Sequence, residues 1–222
     1  MLYNLHFFYW DPLLLVDHIP CPNRDSENGA WCSGWLTRHG YLSCPRSVVD
    51  LEDRFWLIGV CYKCNKCTPA VTFQSWEYQV LWQLPHSLSM EFPAYLTHQS
   101  GVSNSTFAMM QCCFQNGMGT KQFSDAINVM HWHWYEMLEV QYLRSIHEKS
   151  GLAGWLGKTF PPFPAFMDRL KVGVHAVIPS GQWFRDIYDK FIESHEAEFD
   201  QHTTQLSACG CAIDHSYKVI SF

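Results

Sequence analysis

Six of the ten cysteines in this 222-residue chain fall between Cys21 and Cys67. No other feature limits the fold as tightly. Clustered thiols are used either for disulfides in an oxidising compartment or for metal in a reducing one. The opening, MLYNLHFFYWDPLLLVDH, is apolar but has no basic n-region, and Asp11 and Asp17 interrupt it. It does not read as a secretory signal, so the cluster reads as a metal site in an intracellular chain.

Zinc takes four ligands in a tetrahedron, usually from two tight turns. Cys64-Asn65-Lys66-Cys67 is one C-x-x-C turn. Its partner would begin at Cys21-Pro22-Asn23, but Arg24 stands where the second cysteine belongs. Cys32 is the best substitute, closing the site across the polar insert 25–31, with Cys44 and Cys61 as alternatives. The expectation is a structural Zn2+ on Cys21, Cys32, Cys64 and Cys67, within a zinc-ribbon-like module over residues 21–74. Val48, Val49 and Leu51, then Phe55 to Ile58, flank Glu52-Asp53-Arg54 and read as two strands of a hairpin.

Charge decides what such a module could contact. The net charge is −6, which argues against a uniformly basic nucleic-acid binder. Residues 21–67 nevertheless carry six Lys/Arg against five Asp/Glu, while the remainder carries nine against sixteen. Contact with DNA is therefore expected to be local. Arg38, His39, Arg46, Lys63 and Lys66 are the candidates, with Trp31, Trp35 and Tyr41 interleaved for stacking on bases. The alternative is that these aromatics cover a ribbon with little core of its own.

The rest divides by pattern. Residues 1–20 form an apolar lead-in, a strand or short helix. Residues 75–149 read as mainly helical. Trp76–Leu84 and Leu88–Phe92 are separated by Pro85, and a helix capped by Ser103 or Ser105 runs to about Gln115. Gly117-Met118-Gly119 forces a turn. A helix from Thr120 and another from about Trp134 to Glu148 follow. His131 and His133 sit at the junction of these two, as core-edge residues rather than metal ligands. The Ser105–His131 pair reads as a packing hairpin rather than a DNA-reading helix-turn-helix, since Lys121 is its one basic residue against Asp125. Residues 150–179 look like a linker. Residues 180–222 read as a long helix, Gln182 to about Gln201, leading to a terminal strand. Cys112, Cys113, Cys209 and Cys211 read as structural. The uncharged stretch from Phe92 to Thr120 is too rich in Ser, Asn, Gln and Gly to span a membrane. No phosphate-binding or nucleophile motif is present. The class is α+β: an N-terminal ribbon, a mainly helical middle, and a helix with a final strand.

The order of Cys-Pro-x, LTRHGYL, PRSVVDL, FWLIG and YKCNKC resembles the zinc-ribbon region of fungal, mainly basidiomycete, transposon-related proteins. SWEYQVLWQLP, EFPAYLTHQSG and QNGMGTKQFSDAI extend the likeness to a domain of unknown function in those proteins, over most of residues 15–150. That pattern has a cysteine where this chain has Arg24. IPSGQWFRDIY through CAIDHSYKVI is similar to the entry into an RNase-H-like transposase core, which places Asp214 as one of three carboxylates around two Mg2+ ions. With two carboxylates still to be supplied from beyond residue 222, hydrolysis is not expected of this chain alone. The resemblance implies a nuclear, DNA-recognising region of a transposase-like protein. A nuclease completed by further residues or a partner, and a protein-interaction module, are the rival expectations.

Overall fold

The computed structural model describes residues 6–24, 29–153, 160–166 and 178–205. The architecture is α+β, as the sequence pattern implies. Its sheet has seven strands: β1 (His6–Trp10), β2 (Leu36–Tyr41), β3 (Arg46–Val49), β4 (Arg54–Cys64), β5 (Thr72–Gln74), β6 (Ala94–Leu96) and β7 (Ser100–Ser103). The apolar lead-in becomes β1 and a single 3-10 turn, Pro12–Leu14.

The long strand β4 organises everything else. Its first half lies between β1, parallel (Phe8↔Leu57), and β3, antiparallel (Arg46↔Leu57). Its second half lies between β2 (Leu36↔Cys64) and β5 (Tyr62↔Phe73), both antiparallel. The inward positions change phase where one half meets the other. Leu57 and Gly59 are buried in the first, and Val60, Tyr62 and Cys64 in the second. Gly59 is required at this crossing, because a Cβ there would stand 2.4 Å from the Trp76 ring.

The hairpin expected around Glu52-Asp53-Arg54 is present as β3–β4. Strand alternation sends Val48 into one core with Trp10, Ile19, Leu57, Tyr62, Trp76 and Val80. It sends Val49 into a second core with Val102, Phe107, Phe123, Ile127 and Phe184. The first core is closed by two single-turn helices, α1 (Tyr78–Leu81) and α2 (His86–Ser89), each shorter than the apolar spacing suggested. Strands β6 and β7 were not expected in a mainly helical middle. They carry β3's free edge outward through a parallel β3–β7 pairing, Val48↔Gly101.

The second core rests on α3 (Asn104–Gln115), α4 (Thr120–Ala153) and α5 (Gly181–Gln205). Ser103 caps α3, its hydroxyl accepting from the Thr106 amide at 3.1 Å. The Asp50 carboxylate accepts from the Ser103 and Ser105 hydroxyls at 2.5 and 2.8 Å. Burial pushes the Asp50 pKa up, but these hydroxyls and the Leu51 amide outweigh it and leave it below the usual value. The two helices expected to meet at His131-Trp132-His133-Trp134 are one continuous helix of 34 residues. His131 is fully buried within it and its Nε2 lies 2.8 Å from the Asp50 carbonyl, which fixes α4 to the β3–β4 turn, whereas His133 is exposed. Of the expected linker, residues 150–153 belong to α4 and residues 160–166 lie along it, with Phe166 stacked on Trp132 at 4.2 Å and Pro164 accepting from the Tyr135 hydroxyl. The apolar run 172–177 and the expected terminal strand lie outside the described residues. No helix among those described is long and apolar enough to cross a membrane.

Candidate metal centre

Strand β4 delivers Cys64 at its last residue, and the turn to Cys67 follows directly. The amide of Lys66 donates to the Cys64 sulfur at 3.4 Å, as a C-x-x-C turn requires. Cys21 and Cys32 arrive on a short antiparallel ladder. Leu36 N–H donates to the Ile19 carbonyl, Cys21 N–H to Gly34, and Cys32 N–H to Asn23, each at 2.9 Å. Isolated bridges pair Pro20 with Trp35 and Arg24 with Trp31. The ladder explains how the centre tolerates Arg24. Arg24 is bridged to Trp31 in place of a ligand, and Cys32, next in the chain, stands beside Cys21. Arg24 itself lies over the Trp31 ring, 4.2 Å from its centre.

The four sulfurs of Cys21, Cys32, Cys64 and Cys67 lie within 4.8 Å of one another. Cys21 and Cys67 are 3.8 Å apart, Cys32 and Cys64 3.7 Å, and Cys67 and Cys32 3.6 Å. This spacing suits a single metal ion at the middle of a tetrahedron. Cys21 and Cys64 are buried, while Cys32 and Cys67 are half-buried. The Gly34 amide donates to the Cys32 sulfur at 3.3 Å, and the Asn23 side-chain amide to Cys67 at 3.5 Å. A Cβ on Gly34 would lie 2.7 Å from the Cys64 sulfur, so the packing around the centre has no room for one. Cys44 and Cys61, the alternative ligands, stand apart from the four. Cys44 is exposed, and the Cys61 thiol points to its neighbour's carbonyl.

The thiols are not equivalent. Burial pushes Cys64 up, but the amides of Lys66 and Cys67 and the neighbouring thiols outweigh it and bring the value down to about 7. Burial raises Cys21, and the Cys64 and Cys67 thiols add to the rise against the Asn23 amide. One thiol is thus ready to ionise beside others that resist it. A bound cation reverses that balance, because metal ligation deprotonates every thiol it recruits.

A family model matches residues 2–193, which is most of the chain. The chain belongs to the family described as Domain of unknown function (DUF6729). No curated protein and no solved structure matches it.

Within this DUF6729 domain the basic residues singled out from sequence are not one patch. The Arg38 Nε donates at 2.6 Å to Asp11, whose carboxylate is 1% exposed and also accepts from Tyr62 at 2.7 Å and Tyr9 at 3.1 Å. Arg46 lies at the far end of the sheet, stacked on Trp76 at 5.0 Å and donating to the Thr97 carbonyl. Burial lowers its pKa, against the pull of Glu77. His39 is exposed at the irregularity between Arg38 and Gly40. Lys63 and Lys66 lie either side of Cys64, Lys63 half-buried and Lys66 exposed. Lys63 stands opposite Thr37 in the β2–β4 register, and the Lys66 ammonium donates to Ser33 at 3.1 Å. Sequence reasoning passed over Arg24 as a mere lost ligand, although it joins the same ladder. Among the described residues, the salt bridges are His6–Asp53 and Arg38–Asp11, so Arg24, Lys63 and Lys66 have no carboxylate partner there. Asp214 lies outside the described residues.

Proposed function

We propose that this domain binds DNA through a face held in shape by a structural zinc ion. The metal assignment rests on one comparison of lengths. Two Zn–S bonds of about 2.3 Å at the tetrahedral angle put their sulfurs about 3.8 Å apart. Three of the six sulfur pairs here stand 3.6 to 3.8 Å apart, and all six lie within 4.8 Å. Four sulfur donors with no further position favour a structural rather than a catalytic role. When bound, the ion supplies a cross-link between the 19–36 ladder and the end of β4, and no reaction chemistry is assigned to it.

The observation that carries the DNA reading is the set Arg24, Lys63 and Lys66 around that cross-link, which has no carboxylate partner among the described residues, in a chain of net charge −6. In this reading they bind phosphates, as does exposed His39. Arg38 and Arg46 do other work, one neutralising buried Asp11 and the other bracing β6 and β7. The likeness of the sequence to fungal transposon-related proteins supports a nuclear role as the DNA-recognising region of a transposase-like protein. Metal-dependent cleavage through Asp214 is the rival reading.

Purified protein should carry one zinc per chain, lost in Cys64→Ser and Cys32→Ser but kept in Cys44→Ser. DNA affinity should fall with salt, and substituting Arg24, Lys63 and Lys66 by Ala should remove most of that salt dependence. Binding that ignores salt would refute the DNA reading and favour a protein-docking module.

A further inference from the structure

The outer face of the ladder carries more than charge. Burial alternates without a break from Trp31 to Thr37: Trp31, Ser33, Trp35 and Thr37 are exposed, while Cys32, Gly34 and Leu36 turn inward. One edge of the metal centre therefore presents a row of four outward side chains, and each has a basic or imidazole neighbour. Arg24 lies over Trp31 at 4.2 Å. The Lys66 ammonium is 3.1 Å from the Ser33 hydroxyl. The His18 ring meets the edge of Trp35 at 4.4 Å. Lys63 is the register partner of Thr37. Both indoles remain open, Trp31 at 56% and Trp35 at 43% exposure. Aromatics enlisted as core would not be left in that state.

Resting on the DNA reading above, we infer that this row is a platform for single-stranded DNA. Trp31 and Trp35 would each stack on an unpaired base, and Arg24, Lys66 and Lys63 would follow the phosphates between and beside them. Spacing and charge both favour single strands over duplex. The two indoles are four strand residues apart, about 13 Å along the chain. Bases inside a duplex are stacked at about 3.4 Å with their faces covered, so they offer no surface to rings so far apart. An unstacked, extended strand does. Three cations on an acidic protein give little phosphate attraction, and stacking is the contribution that does not depend on charge.

The test uses the zinc-loaded full chain with a labelled oligothymidine and a duplex hairpin. The single strand should bind at least about tenfold more tightly than the duplex. Trp31→Ala and Trp35→Ala should each weaken it by about tenfold or more, with zinc content unchanged. Trp31→Phe and Trp35→Phe should recover most of the loss, which separates stacking from any disturbance of the fold. Equal or tighter binding of the duplex, with salt dependence intact, would overturn this inference and leave the DNA reading standing. So would Ala variants that bind the single strand normally. Binding of neither probe at low salt would sink both.

Discussion

Gly34→Ala is the sharpest perturbation of the proposed metal centre. It removes no ligand and meets no backbone objection, since Gly34 is not among the positive-φ glycines. A Cβ at this position would lie 2.7 Å from the Cys64 sulfur, 2.9 Å from the Asn65 side-chain oxygen and 3.1 Å from the Lys66 Cβ. Ordinary contacts of this kind are about 3.5–4 Å, so the 64–67 turn must retreat by roughly 0.8 Å or more. Residue 34 cannot yield instead. Its amide holds the Cys32 sulfur and its carbonyl accepts from the Cys21 amide, so moving it drags two other ligands. A zinc site tolerates only about 0.2 Å in its bond lengths. Zinc affinity should therefore fall by about 10–100-fold, the range for lost ligand support. At fixed free zinc that is about 1.4–2.7 kcal/mol of stability. Competition with a chromophoric chelator measures the first figure, and thermal melts in buffered zinc measure the second. Gly119→Ala is the control, since its nearest neighbour would be an ordinary 3.6 Å away. Wild-type zinc affinity and melting temperature in Gly34→Ala would refute the reasoning.

Two further outcomes follow from buried carboxylates. Burial raises the Asp53 pKa to about 6, against the Arg54 amide and His6. The folded protein therefore holds that proton more tightly than the unfolded chain, so Asp53 adds stability below about pH 4 that is lost as pH rises to 6. Asp53→Asn should gain on the wild type between pH 4 and 7, by roughly 3 kcal/mol at most, in paired urea titrations. A difference that is flat with pH would count against it, and any acid sensitivity of the metal centre is common to both proteins. At Asp11, Asn leaves one of three donors facing an amino group, so Asp11→Asn should cost about 2 kcal/mol. Arg38→Ala should cost more, about 3 kcal/mol, because it leaves the Asp11 carboxylate, whose side chain is 1% exposed, without its counter-charge. A loss under about 1 kcal/mol in Arg38→Ala would contradict this account.

What could be read from the sequence was local. The Cys64–Cys67 turn, the β3–β4 hairpin, the Ser103 cap and the start of α5 each follow from a few adjacent residues whose preferences agree with the fold. The features missed depend on distant partners. β6 and β7 are short and uncharged, β7 being mostly Ser and Gly, and they are strands because β3 offers β7 an edge and β7 offers one to β6. The polar His131-Trp132-His133-Trp134 run suggested a break, yet α4 continues because the Asp50 carbonyl lies within reach of buried His131. Among the site residues, Cys32 was legible as a ligand by its position after the polar insert. The roles of Arg38 and Arg24 were not, since nothing local shows that Asp11 claims one and Trp31 supports the other.

The double membership of β4 has a practical consequence. A finger that is closed by its own strands can be cut out and moved between proteins. Here the strand ending in Cys64 begins at Arg54, among β1, β3 and the second core's edge. Excising residues 21–74 would strip β1 and β7 from that sheet and leave two bare edges, an invitation to self-association. The metal centre is in this sense a clasp on a larger garment rather than a bead on a string. Grafting it would mean transplanting the sheet as well.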